Sequence, residues 1–139
     1  MAEEKNFENR IKQILENRGI YPLGLPSQKM YVNPIGYYEK RWGGGAFIKE
    51  GLPDLHIVVN GVNVEVELKS MKGKPSMMQV KKLKQIDESG SYAILLYPDH
   101  ETLFKNFIDC LIHWDNENIL FNYDFLKNRL KEWVVKYGL

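Results

Sequence analysis

Residues 51–70 read GLPDLHIVVNGVNVEVELKS, and their reading decides the fold. Asn60-Gly61 at the centre is a strong signal for a two-residue type I′ turn, whose central positions both need positive φ. Such a turn fixes the register of the flanking strands: Val59 faces Val62, Ile57 faces Val64 and Leu55 faces Val66. With Leu68 these residues make one wholly apolar face. The other face carries Val58 against Asn63, His56 against Glu65 and Asp54 against Glu67, with Lys69 two residues beyond Glu67. Asp54 and Glu67 become direct cross-strand neighbours with Cβ atoms about 4.5–5.5 Å apart. Like charges so placed repel, by about 4 kcal/mol near a protein surface and about 1 kcal/mol in water. Two readings of this face are open: a solvated polar surface with Lys69 paired to Glu67, or a site where a divalent cation offsets the repulsion.

Working outward, residues 3–18 predict an amphipathic helix, with Phe7, Ile11, Ile14 and Leu15 on one stripe and Gly19 as its stop. Pro22, Pro26 and Pro34 break the following stretch, which leaves room for a short strand at 29–32. GYYEKRWGGGAFIKEG (36–51) reads as a long glycine-rich, basic and aromatic loop, with a strand at 46–49. After the hairpin, Ser76-Met-Met-Gln79 matches a capping box and opens a helix over 76–88. A fully apolar strand is expected over 91–97 and a helix near 100–113. A short strand is expected at 118–121 and a last helix over 124–137, with Leu126, Leu130, Trp133, Val134 and Tyr137 on one face. The order of elements predicts an α/β fold with a mixed sheet covered by helices.

The chain has 139 residues, 44% hydrophobic and 27% charged, which suits a single globular domain. Its apolar runs are far too short to span a bilayer. The polar start MAEEKNFENR lacks an apolar leader, so a cytoplasmic location is the expectation. Cys110 is the sole cysteine, which excludes an internal disulfide and a cysteine-based zinc site. Gly43-Gly44-Gly45 is not followed by Gly-Lys-Ser/Thr, so it is no P-loop. Net charge is only +1, but six lysines and no acid lie between Lys69 and Ile86, which reads as a local positive surface or as a plain solvated face. Lys40, Arg41 and Trp42 sit beside Tyr37 and Tyr38, a mixture of cations and aromatics suited to phosphate contact and base stacking.

Pro53-Asp54, a spacer and Glu67-Leu68-Lys69 resemble the PD-(D/E)XK nuclease signature. The longer series GLPD, VEVELKS and GKPSMMQ is similar to the VRR-NUC subgroup, with Gly51, Pro53, Asp54, Glu67, Lys69, Gly73, Ser76 and Gln79 all in pattern. The likeness is dense over 51–79, extends in outline from about 4 to 97, and does not cover the C-terminal extension at about 99–139. It implies a restriction-endonuclease-like core, αβββαβ, within one domain. It implies Mg²⁺, replaceable by Mn²⁺, held by Asp54, Glu67 and the Leu68 carbonyl, with a further ligand from Glu8 or Glu4 on the first helix. Lys69 would act on the attacking water and the phosphate, and Gln79 would lie near Lys69 as well as cap its helix. Lys40, Arg41, Trp42, Lys72, Lys74 and Lys82 are the expected nucleic-acid contacts. The implied activity is DNA phosphodiester hydrolysis by a phage-type, structure-specific endonuclease working as a homodimer on branched or junction DNA. A nicking or restriction-like nuclease, a non-catalytic nucleic-acid-binding module and an unrelated interaction domain are the competing expectations.

Overall fold

A computed structural model describes residues 2–24, 34–41 and 51–138. The strands expected at 29–32 and 46–49, Trp42 and the three consecutive glycines lie outside the described residues. Five strands form one mixed sheet in the order β1 (Ile20–Pro22), β2 (Gly36–Lys40), β3 (Leu55–Val59), β4 (Val62–Leu68) and β5 (Tyr92–Leu96). β2, β3 and β4 are an antiparallel meander, and β1 and β5 add to its two sides in parallel. The architecture is α/β, a five-stranded mixed sheet flanked by helices.

The hairpin has the register that its turn dictates, with Val59 opposite Val62 and Leu55 opposite Val66. Asn60 and Gly61 adopt φ of 51° and 80°, as a type I′ turn requires. Leu55, Ile57, Val59, Val64, Val66 and Leu68 are all buried in the principal core. Against them pack α1 (Ala2–Glu16), through Phe7, Ile11 and Leu15, and α3 (Glu101–Ile112), through Phe104, Phe107 and Ile108. Each such side chain contributes about 1.5–3 kcal/mol of burial. The opposite face is covered by α2 (Met77–Glu88), whose Leu83 joins Ala93 and Leu95 in a smaller cluster.

Three expectations are corrected. The stretch 36–40 is a strand rather than the start of a loop: it alternates, burying Tyr38 at 4% exposure while Tyr37 and Glu39 stay exposed, and β3 supplies the hydrogen-bonding edge. Residues 118–121 form no strand. Glu117–Leu120 is a helical turn, α4, because the Asn116 side chain caps it by accepting from the Asn118 N–H at 3.0 Å. The last helix is two: α5 (Tyr123–Leu130) and α6 (Trp133–Lys136). Leu126 and Leu130 of α5 enter the principal core, whereas Trp133 of α6 enters the cluster on the other side of the sheet. One straight helix could not reach both, so the chain breaks between them and wraps the β5 edge.

Among the described residues no helix is long and apolar enough to cross a membrane.

Candidate active site

The sheet divides its polar residues by strand alternation. Glu65 and Glu67 point away from the principal core yet are 3% and 2% exposed, so the second face of the hairpin is covered rather than solvated. Asp54 lies one residue before β3, where continuation of the register sets it opposite Glu67. This is a non-hydrogen-bonded position of the ladder, the kind that brings side chains closest.

The ladder ends here for a chemical reason. The next position pairs Pro53 with Leu68, and proline has no N–H to offer the Leu68 carbonyl. The Leu68 N–H instead donates to Asp54 Oδ2 at 2.8 Å, which fixes the aspartate at the end of the strand. On the other side of β4 the ladder with β5 continues, as the Lys69 N–H donates to the Leu96 carbonyl at 3.0 Å.

Glu67 Oε2 accepts from Gln79 Nε2 at 3.2 Å and lies 3.5 Å from Lys69 Nζ. Glu67 Oε1 is buried and has no donor among the described residues. Burial, and then the neighbouring Asp54 charge and a hydrogen bond between the two carboxyl groups, push Glu67 up to about 9, with Lys69 opposing. Two carboxylates in such contact need a proton or a cation to relieve them.

Gln79 caps its helix as the sequence predicts, and its side chain also reaches Glu67. Its Oε1 accepts from the Ser76 N–H at 2.8 Å and its N–H donates to Ser76 Oγ at 3.1 Å, a complete capping box. The cap uses only the oxygen of the amide, which leaves Nε2 for Glu67.

Arg41 follows the last residue of β2, Lys40, and continues its alternation through a bond from its N–H to the Asp54 carbonyl at 2.8 Å, so the two fall on opposite faces. Lys40 meets Glu8 on the α1 side. Arg41 Nη1 donates to Glu65 Oε1 at 2.5 Å and to the Pro53 carbonyl at 3.0 Å. His56 Nδ1 is 2.7 Å from Glu65 Oε2 and 3.2 Å from Arg41 Nη2. In the Nδ1–H tautomer His56 donates to that buried oxygen, since a carboxylate can only accept, and Nδ1 then does not accept from Arg41. Two of the five cations expected at a nucleic-acid surface, Lys40 and Arg41, are therefore paired within the chain.

Glu8 lies among lysines. Lys5 and Lys12 lie 3.2 and 3.1 Å from its Oε2, and Lys40 takes Oε1. Burial alone would raise its pKa, but the three ammonium groups outweigh this and hold it at about 2. Among the described residues no group of three or more His, Cys, Asp and Glu side chains is placed to hold a metal ion, so Glu8 is not gathered with Asp54 and Glu67. Among the described residues no such contact brings in Glu4. It is Glu3 that reaches toward the loop after β4, accepting from the Met71 N–H at 3.1 Å. Sequence reasoning passed over Glu3, which carried no signal beyond being an acid in a first helical turn. Lys72 and Lys74 are exposed and Lys82 is half-buried.

No family model, curated protein or solved structure significantly matches the chain.

Proposed function

We propose that the chain is a metal-dependent endonuclease that hydrolyses DNA phosphodiester bonds, with a restriction-endonuclease-like core of the PD-(D/E)XK type. The observation that carries this reading is the contact of Asp54 with a Glu67 that is 2% exposed, while Lys69 and Gln79 hold one oxygen of that glutamate and the other has no donor. Such a pair is a poor choice for stability alone.

The donors fit a hard cation. Asp54, Glu67 and the Leu68 carbonyl, which Pro53 cannot serve, offer oxygen ligands at one strand end, the set that suits Mg²⁺ or Mn²⁺. Bound there, the ion would supply Lewis-acid activation of the attacking water and neutralise charge on the phosphate. Asp54 is oriented by the Leu68 N–H, and Glu67 by Gln79 Nε2. Lys69 presents an ammonium beside the carboxylates, where it stabilises negative charge developing on the scissile phosphate. Lys72, Lys74 and Lys82 follow Lys69 in sequence and suit contacts to flanking phosphates.

The substrate in this reading is branched or junction DNA, the enzyme is phage-type, and it acts as a homodimer. Support for self-association comes from Trp114, Phe121 and Phe125, which are 54%, 84% and 53% exposed in the C-terminal third.

The test is cleavage of matched linear, nicked, flapped and four-way-junction DNA with Mg²⁺, Mn²⁺ or EDTA, comparing wild type with Glu67→Gln. Metal-dependent cutting that the variant loses is the expected result, and the preferred substrate separates junction cleavage from nicking or restriction-like activity. Binding without cutting by the wild type would favour a non-catalytic nucleic-acid-binding module. Absence of both would remove the reading.

A further inference from the structure

The C-terminal ends of β4 and β5 lie side by side because these strands are parallel, with Glu67 paired to Leu95. Two residues further on, Lys69 and Tyr97 are therefore neighbours on the face that carries the carboxylates. The Tyr97 hydroxyl donates to the Gly73 carbonyl at 2.9 Å and ties down the loop that follows Lys69. Beside this bond is a cavity of about 390 Å³, whose walls include Lys72 and Lys74 from the loop, Tyr97, and Lys136 and Tyr137 from the end of the chain. Its own wall has no acidic side chain among the described residues, while the adjoining cavity, which shares Met71, Tyr97, Lys136 and Tyr137, is lined by Asp99 and Glu132. Lys136 Nζ lies 5.4 Å from the centre of the Tyr137 ring.

Charge sets this cavity apart. Lys5, Lys12, Lys40, Lys69 and Lys131 each meet a carboxylate of the chain. Lys72, Lys74 and Lys136 have no such ion pair among the described residues, yet they converge from two distant segments onto one cavity. Cations gathered with none of them held in an ion pair repel one another, and an anion that joins them relieves this. Lys72 and Lys74 follow Lys69 in the chain, on the loop that Tyr97 ties down, so the cavity adjoins the strand end that carries the carboxylate pair. A polyanion can satisfy several cations that a single small anion cannot span. Tyrosine rings at the same wall offer stacking surface to a base or sugar.

We propose that this groove binds the sugar–phosphate backbone of the DNA strand that flanks the scissile phosphate, with Lys136 and Tyr137 as contacts contributed by the C-terminal segment. The inference rests on the nuclease reading above and extends it to residues outside the 51–79 motif series.

Binding is measured by fluorescence anisotropy in a Glu67→Gln parent, which does not cut, using a fluorescein-labelled oligodeoxynucleotide as a single strand and as a duplex over a range of salt. Loss of one phosphate contact lowers the slope of log affinity against log salt by about 0.7 for a single strand and about 0.9 for a duplex. Lys136→Ala is expected to lower it by that amount, Lys72→Ala with Lys136→Ala by about twice as much, and Lys136→Arg to restore it. Lys105→Ala, an exposed change on α3 across the sheet, is expected to match the parent. Lys136 is itself exposed, and equal melting temperatures would show that these variants are folded. If the parent binds and the wild type cuts while Lys136→Ala changes neither affinity nor slope, the groove assignment falls and the nuclease reading survives. If the parent binds neither probe and the wild type cuts nothing, both fall together.

Discussion

Glu67 is the residue whose chemistry and stability pull in opposite directions. Its folded pKa, about 9, stands above the ordinary 4.5, so the metal-free fold holds a proton that the unfolded chain releases. The sign follows from linkage: the stabilisation is complete below pH 4.5 and is lost as pH rises toward 9. Metal-free wild type should therefore lose melting temperature across that window. Glu67→Gln keeps a neutral side chain of the same shape and should lose less, so the variant becomes the more stable protein at pH 8. Parallel melting profiles for the two proteins in EDTA would contradict this. Glu8 has the opposite sign. With its pKa held at about 2, its contribution is present above pH 4.5 and is lost in acid. Its three lysines predict a structural role, so Glu8→Gln should cost about 1–2 kcal/mol in denaturant melts while DNA cleavage persists. Loss of cleavage at unchanged stability would instead return Glu8 to the metal site. The pairing of Glu8 with Lys40 was not legible beforehand, because the face that Lys40 takes depends on a strand whose register with β3 only the fold defines.

Among the elements, the hairpin was the most legible, since its register is local chemistry: a turn that needs positive φ twice, and an alternation that one residue of slip would invert. Asp54, Glu67, Lys69 and Gln79 could be placed from that register and a capping box. Strand β2 was not legible, being short, aromatic and beside glycines, and extended because β1 and β3 offer it partners. Gly51 shows how elements are locked around the site. It has φ of 85°, and a Cβ there would come within 2.6 Å of Met78 Cγ and 2.9 Å of the Met78 carbonyl. Met78 precedes Gln79 at the start of α2, so this close approach sets where the amide can reach Glu67. Gly51→Ala should cost about 2–4 kcal/mol through left-handed strain and overpacking. It should also reduce cleavage beyond what the loss of folded protein explains, as Gln79 is displaced. Wild-type activity per folded molecule in Gly51→Ala would show that the close approach serves packing only.

At the scale of the molecule, β5 is an edge strand, and an edge carries unpaired backbone groups that need cover. Ala93 and Leu95 turn their carbonyls away from β4, and Trp133 Nε1 donates to the Ala93 carbonyl at 2.9 Å in a buried contact. The segment beyond residue 97 is thus no appendage: α3 and α5 complete the principal core and α6 closes the edge. The periodicity over 124–137 revealed the apolar residues but not that they serve two sides of a sheet, because a hydrophobic stripe records burial and not its partner. Trp133→Phe keeps most of the packing but leaves the carbonyl without its donor, at about 1–3 kcal/mol. Trp133→Ala removes the ring as well and should cost about 3–5 kcal/mol. Because both faces share one sheet, both variants should still melt in a single transition, followed by calorimetry, with the melting temperature falling in the order wild type, Phe, Ala. If Trp133→Ala instead gave an early separate transition with the main one unmoved, the C-terminal segment would be a unit docked on a self-sufficient core.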